Sequence, residues 1–266
     1  MQILYPLDPL TPDAADGPYQ TEYLAAIAAD IPCSLFDFDA LSTEEFRPEF
    51  RPRPALKDSE PTLYRGWMLT PQRYQLLEKM VCQQGSQPIT SLAHYTQCHY
   101  LPGWYTRCRQ WTAETHVFPA DADIVTAAVA LNWPAYFVKD YVKSNTGDKG
   151  SIAYSPAEIS DILAQITLYR GEIEGGIVLR QVEHYLPDTE CRYFVVNGQA
   201  YGPDGSVPEL VNQIAKTITA PFYSVDVVTN TEGDLRLVEI GDGQVSSRKN
   251  GSIDWFITVL CGLMRS

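Results

Sequence analysis

Two strand-like segments separated by a short polar loop constrain the fold more than any other feature of the sequence. Phe222–Val228 and Leu235–Ile240 are rich in Val and Ile, and the loop between them contains Asn230 and Gly233. Asn and Gly favour tight turns, and apolar β-branched runs on both sides of such a turn favour antiparallel strands. We therefore predict a hairpin in which the pairing is centred between Glu232 and Gly233.

This register places two carboxylates opposite each other. Asp226 opposes Glu239 on one face, whereas Val227 opposes Val238 on the other. Like charges with Cβ atoms about 5 Å apart destabilise a sheet, and a divalent cation would remove the repulsion. Mg²⁺ in nucleotide sites is held by one or two carboxylates plus phosphate oxygens, and Asp242 could add a further ligand. The alternative is that both carboxylates face water, because a slip of one residue exchanges the two faces.

A second strand pattern carries two lysines. Ala135–Lys143 alternates so that Lys139, Tyr141 and Lys143 share one face, with the lysines about 13 Å apart. Small residues follow at 144–151, where backbone N–H groups can approach anionic oxygens. The segment predicts a phosphate site. A solvent-exposed strand edge followed by an ordinary loop is the alternative.

Further charged candidates lie on or beside the strands Ile177–Val182 and Cys191–Val196. They are Arg180, Glu183, Glu190 and Arg192. Glu190 and Arg192 share a strand face, so a structural ion pair explains them equally well. Arg65, which precedes Gly66, is another candidate cation, with a structural role as the alternative.

Helix and strand patterns mix along the chain. Thr70 followed by Pro71 predicts a helix start, and Ser155-Pro156-Ala157-Glu158 forms a capping box. A Pro-rich, charged stretch at 47–61 separates a small opening unit from the rest. Several hairpin patterns accompany these helices, so we expect an α+β fold.

Composition excludes several classes of protein. Asp and Glu exceed Lys and Arg by 33 to 20, a formal net charge of −13, and no basic cluster is present to neutralise nucleic-acid phosphates. No apolar run reaches membrane-spanning length and no signal peptide is evident. The 6 cysteines lack metal-ligand spacing. We expect a cytoplasmic protein with reduced thiols and no nucleic-acid or membrane partner.

Three motifs in sequence order resemble the ATP-grasp superfamily, and within it the clade named for an arginine and two lysines. They are FVKDYVKSNTGDKGS, VLRQVEHYLPDTECRYFVVNG and FYSVDVV followed by LRLVEIGDGQVS. The resemblance implies two α+β subdomains that clasp ATP, and a smaller N-terminal α/β unit. We accordingly expect residues 1–110 to form a pre-ATP-grasp unit and residues 111–266 to form the nucleotide-binding and catalytic region.

The resemblance also implies roles for individual residues. Nucleotide binding is expected at Lys139, Lys143, Arg180, Gln181, Val182, Glu183 and Glu190, with the lysines on the phosphates, residues 181–183 beside adenine and Glu190 on the ribose. Arg192, Lys143 and Arg65 are the catalytic candidates. Asp226, Glu239 and Asp242 are the candidate Mg²⁺ ligands. Gly241 stands where the family usually carries Asn.

The implied activity is ATP-dependent ligation of a carboxylate to an amine through an acyl phosphate, with a peptide, amino acid or other small molecule as substrate. A nucleotide-binding sensor or partner-binding module without turnover is the alternative, as is a phosphotransferase with the same fold.

Overall fold

A parallel sheet forms from the first strands of the chain. A computed structural model describes residues 1–144, 150–249 and 251–264. The sheet has the order β2-β1-β3-β4, and its central strand β1 is buried along its length. Parallel strands require crossover connections, which helices supply here. These elements are β1 (Gln2–Pro6), α1 (Gly17–Ala28), β2 (Cys33–Phe36), β3 (Pro61–Tyr64), α2 (Pro71–Gln83) and β4 (Gln87–Pro88).

The start of α2 follows the predicted capping chemistry. The Thr70 side chain accepts a hydrogen bond from the Arg73 N–H at 3.4 Å, and Pro71 occupies the first turn. Gly85 follows the helix with φ of +80°, a conformation that glycine adopts without a Cβ clash.

An antiparallel sheet with the order β5-β8-β6-β7 forms the centre of a second group of elements. One of its faces packs on two helices through Val138, Leu179, Ile159 and Ile162. The elements are β5 (Thr115–Phe118), α5 (Ile124–Leu131), β6 (Tyr136–Asp140), β7 (Ile152–Ala153), α6 (Pro156–Arg170) and β8 (Ile177–Gln181), preceded along the chain by α3 (Leu92–His99) and α4 (Leu101–Cys108).

A third sheet has the order β10-β9-β11-β12. Its first hairpin turns at Asn197 and Gly198, both with positive φ, as the Asn-Gly pair predicts. The remaining elements are β9 (Cys191–Val196), β10 (Gln199–Tyr201), α7 (Glu209–Ala215), β11 (Phe222–Thr229), β12 (Leu235–Asp242) and α8 (Ile253–Met264).

The two strands of the predicted last hairpin, β11 and β12, are neighbours in this sheet. The Gly243 N–H donates to the Phe222 carbonyl at 3.1 Å, which joins two residues that the predicted register pairs. At the turn, the Asn230 N–H donates to the Asp234 carbonyl at 2.9 Å, one residue away from that register. The hairpin is confirmed, and the direct opposition of Asp226 and Glu239 stays a prediction.

The chain divides into two compact units, each built from more than one stretch of the sequence. The first comprises residues 1–98, 192–225 and 241–266, and the second comprises 99–191 and 226–240. The bounds of these units therefore differ from the expected division at residue 110, because α8 and parts of the third sheet pack with the N-terminal sheet. The mixture of helices with parallel and antiparallel sheets confirms the expected α+β class. No described helix combines the length and apolar character that a bilayer crossing requires.

Arg65 is a structural brace of the first unit. Its guanidinium is 1% exposed, pairs with both oxygens of Glu22 at 2.7 Å, and lies 4.8 Å from the ring centroid of Phe256. Its remaining terminal nitrogen donates to three backbone carbonyls, those of Gly243, Gln244 and Ser246. The prediction of Arg65 as a catalytic cation is therefore revised, because protein atoms occupy all of its nitrogens.

Glu22→Gln should destabilise the first unit strongly. The substitution keeps the shape of the side chain but leaves the buried Arg65 charge without its counterion, which costs on the order of 3–5 kcal/mol. Urea unfolding followed by far-ultraviolet circular dichroism measures the loss. The exposed Glu44 provides the matched control, and Glu44→Gln should change the free energy of unfolding by less than about 0.5 kcal/mol. Equal stability of the two variants would contradict the brace.

Candidate functional site

A cavity of about 470 Å³ lies within the second unit. Phe137 and Arg180, which pair across β6 and β8, line it together with Lys139. Side chains alternate between the faces of a strand, so Val138 and Leu179 point to the opposite face, where α5 and α6 pack. Period-two alternation thus separates a charged, cavity-lining face from an apolar core face.

The cavity collects the residues that the sequence assigned to the nucleotide. All seven line it, and the predicted metal ligand Glu239 lines it as well. The seven are Lys139, Lys143, Arg180, Gln181, Val182, Glu183 and Glu190.

An ion pair joins two of the lining residues. Lys139 Nζ donates to Glu239 Oε1 at 2.9 Å, and the side chains of these residues are 6% and 39% exposed. Burial opposes ionisation of Glu239, but the charges of Lys139, Lys143 and Arg180 outweigh it and lower its pKa. The carboxylate is therefore ionised at neutral pH and presents a hard oxygen donor in the cavity.

Arg180 connects β8 to the residues that precede Glu239. It donates to the Val238 carbonyl at 2.8 Å and to Thr112 Oγ1 at 2.6 Å, and that hydroxyl donates to the Leu237 carbonyl at 2.7 Å. Burial lowers the pKa of Arg180, with opposing contributions from Tyr185 and Glu239. A guanidinium remains protonated in such surroundings, so the cavity keeps this positive charge.

Glu183 has partners that the sequence did not indicate. Arg236 donates to both of its carboxylate oxygens, at 2.7 and 3.1 Å, and the Tyr185 hydroxyl donates to it at 3.0 Å. Since β8 ends at Gln181, the backbone of residues 182 and 183 leaves the sheet beside the cavity. The Glu183 side chain braces this segment through Arg236 and Tyr185.

The backbone that brings Lys143 to the cavity does not follow the predicted straight strand. Strand β6 ends at Asp140, and an isolated bridge pairs Lys139 with Ser144, so the chain reverses between them. The prediction of one strand face shared by Lys139, Tyr141 and Lys143 is wrong, although both lysines line the same cavity. Of the predicted phosphate loop at 144–151, residues 145–149 lie outside the described residues.

The other predicted metal ligands and Arg192 lie outside this lining. Asp226 is buried in the second unit, at 3% exposure. In the first unit, Arg192 donates to the Ser247 carbonyl at 2.8 Å. Among residues 1–144, 150–249 and 251–264, no three His, Cys, Asp or Glu side chains gather closely enough to hold a metal alone.

Asp242 belongs to the first unit and is fully buried. Its Oδ1 accepts from the Gln244 backbone at 3.0 Å and from the Gln244 side chain at 3.2 Å, whereas Oδ2 has no hydrogen-bond partner among the described residues. Burial raises its pKa to about 7, against the lowering effect of Gln244 and Arg65. A cation is the kind of partner that stabilises the ionised form of such a carboxyl.

His99 is a residue of the second unit that the sequence does not single out. It is buried, and its ring lies 5.4 Å from the ring of Tyr100 in an edge-on arrangement. Burial lowers its pKa to about 3, with further lowering by Lys143, Lys139 and Arg170 and opposition from Glu239. Only the folded structure indicates its proximity to these cationic residues, because they lie far from it in the sequence.

His99 should make stability depend on pH. An unfolded histidine gains a proton below about pH 6.5, whereas folded His99 stays neutral to about pH 3, so the unfolded state binds more protons between these values. The free energy of unfolding should therefore fall by about 2 kcal/mol from pH 7 to pH 5 through this group. Chemical denaturation at both pH values measures it: His99→Asn should remove this part of the loss, and His116→Asn should retain it. An unchanged loss in His99→Asn would refute the assignment.

With this geometry in place, comparison with known proteins is informative. Residues 130–260 match a family model for the ATP-grasp domain, family 3 of the clade named for an arginine and two lysines. No curated protein matches the sequence at a significant level.

Solved structures share the fold over nearly the whole chain. D-cycloserine synthetase DcsG is 12% identical, with a TM-score of 0.62 and coverage of 100% of this chain and 99% of that one. D-alanine–D-alanine ligase from Bacillus anthracis is 10% identical, with a TM-score of 0.61 and coverage of 99% and 97%. Macrocyclase MdnC from Microcystis aeruginosa MRC, solved with its precursor peptide MdnA, is 10% identical, with a TM-score of 0.60 and full coverage of both chains. The family model and the shared fold agree: residues 130–260 match an ATP-grasp domain, and the chain as a whole has the ATP-grasp fold.

Proposed function

We propose that this protein is an ATP-dependent carboxylate–amine ligase that acts with Mg²⁺ on a small-molecule or peptide carboxylate. The observation that carries the proposal is the cavity in the second unit, which all seven nucleotide-assigned residues and Glu239 line. Its volume of about 470 Å³ falls within the range of ligand pockets, roughly 300–1,000 Å³.

The charges of the lining suit a nucleotide. Lys139, Lys143 and Arg180 supply cations for phosphate oxygens, and the exposed Glu190 supplies a carboxylate for ribose hydroxyls. Residues 181–183 supply backbone groups where β8 leaves the sheet. A triphosphate on the two lysines would release Glu239 from its ion pair with Lys139 and leave this carboxylate available to a cation.

The carboxylates fit Mg²⁺ by their chemistry. Glu239 is held ionised in the cavity, and Asp242 carries a buried oxygen without a hydrogen-bond partner among the described residues. We assign Asp226 and Glu239, both of the second unit, as the protein ligands, because Mg²⁺ usually takes only one or two carboxylates and obtains its other ligands from phosphate and water. Bound there, the ion would offset negative charge on the phosphoryl oxygens. The role of Asp242 as a further ligand stays a prediction.

The proposed reaction needs no protein nucleophile. An oxygen of the substrate carboxylate attacks the γ-phosphorus, the bond to the ADP oxygen breaks, and an acyl phosphate forms. The amine nitrogen then attacks the acyl carbon, inorganic phosphate leaves, and the nitrogen loses a proton to give the amide. Cations beside the phosphoryl oxygens stabilise the developing charge, and we assign this work to Lys143 of the cavity. The catalytic role of Arg192 stays a prediction.

The similar structures leave the size of the substrate open. By name, D-cycloserine synthetase and D-alanine–D-alanine ligase handle small molecules, whereas macrocyclase MdnC was solved with a precursor peptide. We therefore propose a substrate class defined by its reacting groups, a carboxylate and an amine.

Lys139→Met should weaken binding of MgADP by about tenfold or more, because a buried cation beside the phosphates is lost. Isothermal titration calorimetry measures the affinity, with and without Mg²⁺. Lys57→Met removes the same charge from an exposed position of the first unit and should leave affinity unchanged within about twofold. If the wild type binds no nucleotide in the presence of Mg²⁺, the proposal fails at its first step.

Hydroxylamine should trap the acyl phosphate. With ATP, Mg²⁺ and a panel of amino acids and peptide carboxylates, we expect a hydroxamate and an equal amount of ADP for the accepted acid. Mass spectrometry identifies the hydroxamate and a coupled assay measures ADP. A stable phosphorylated product without hydroxamate would indicate a phosphotransferase. Nucleotide binding without ADP formation for any acid and amine would favour a sensor or partner-binding module.

A further inference from the structure

The turn that brings Lys143 to the cavity is organised by a carboxylate that the nucleotide assignment does not use. Asp140, the last residue of β6, is completely buried. Its Oδ1 accepts the backbone N–H groups of Val142 at 2.7 Å and Lys143 at 2.6 Å. Its own N–H donates to the Lys143 carbonyl at 3.0 Å. The backbone of Lys143 is thus tied to Asp140 through both its N–H and its carbonyl.

The second oxygen of Asp140 is held from α6 and the segment that follows it. The Arg170 guanidinium bonds to Oδ2 and also to Glu174 at 3.1 Å, and the Glu174 N–H donates to Oδ2 at 3.3 Å. Glu174 in turn accepts the Tyr100 hydroxyl. Such a charge-assisted arrangement fixes the orientation of the Asp140 carboxylate, and therefore the direction of its Oδ1.

The turn has a direct effect on the cavity lining. Val142, Lys143 and Ser144 all line the cavity, and Ser144 pairs back onto Lys139 through the isolated bridge. An extended strand would have carried Lys143 about 13 Å beyond Lys139. The bonds to Asp140 instead reverse the chain, so both ammonium groups serve one site.

We propose that Asp140 is a positioning residue for phosphate recognition. Arg170 orients the Asp140 carboxylate, and this carboxylate holds the backbone of Lys143. The side chains of Lys139 and Lys143 can then act on the same phosphate chain. This inference rests on the proposed nucleotide function of the cavity. It adds a residue whose side chain contacts no nucleotide and which acts through the position of Lys143.

A purely electrostatic role and a positioning role for Asp140 predict opposite changes in MgADP affinity when its charge is removed. A negative charge near the lysines repels phosphate, so Asp140→Asn would strengthen MgADP binding if the carboxylate acted only through its charge. If its function is positioning, the same substitution weakens binding, because the bonds to Arg170 that orient the side chain are disrupted.

The test is a double-mutant cycle with Asp140→Asn, Lys143→Met and the double variant, using calorimetry with MgADP and displacement titration with adenosine. We expect Asp140→Asn to weaken MgADP about tenfold and to leave adenosine unchanged within about twofold. In the Lys143→Met background, Asp140→Asn should change MgADP affinity by less than about twofold.

A second variant, Arg170→Lys, tests the same arrangement in case Asp140→Asn does not fold. Arg170→Lys retains the positive charge but loses the planar fork that bonds both carboxylates, and it should also weaken MgADP without affecting adenosine. Arg107→Lys, on the exposed face of α4, is the matched control and should bind as the wild type does.

Three outcomes would overturn the inference: tighter or unchanged MgADP binding in Asp140→Asn, an equal loss of adenosine binding, or full additivity with Lys143→Met. If Asp140→Asn does not fold, unchanged MgADP binding in Arg170→Lys overturns it in the same way. A wild type that binds no MgADP, or a Lys143→Met variant that binds it normally, would instead remove the proposed role of Lys143 and the inference with it.

Discussion

Mutual repulsion among cations that line one cavity, two of them buried and one partly buried, is the constraint on which the second unit depends. Lys139, Lys143 and Arg180 line one cavity, and taking such charges out of water is costly unless acceptors compensate them. Glu239 pairs with Lys139, and the carbonyl of Val238 receives Arg180. Both acceptors come from the segment 226–240, which explains why a stretch so distant in sequence belongs to this unit.

Local charge, rather than net charge, decides what such a site binds. The chain carries a formal charge of −13, yet charges more than about 8 Å apart are largely screened at physiological ionic strength. The cavity lining brings three cations, Lys139, Lys143 and Arg180, close to three carboxylates, Glu183, Glu190 and Glu239, so its local charge differs from that of the acidic chain as a whole. Its carboxylates keep these cations close together in the absence of phosphate, and Glu239 is suited to exchange its lysine for a divalent ion.

Strand alternation made much of the second unit predictable. The pattern of Tyr136–Asp140 and Ile177–Gln181 distinguishes the apolar face under α5 and α6 from the cavity face. The length of β6 could not be predicted from alternation, because Val142 and Lys143 continue the apolar–polar pattern beyond the end of the strand at Asp140. The side chain of Asp140 competes for the backbone N–H groups there and ends the strand, an effect that alternation alone does not reveal.

The sequence by itself determined the α+β class, the last hairpin and the starts of α2 and α6, because these depend on local patterns and short motifs. Only the tertiary structure decided the partners of buried charges. Arg65 and Arg180 look alike as strand-end arginines, but Arg65 is enclosed by Glu22 and three carbonyls whereas Arg180 lines a cavity. The physical reason is that desolvation and charge pairing depend on atoms brought together from distant parts of the chain, and sequence spacing does not contain that information.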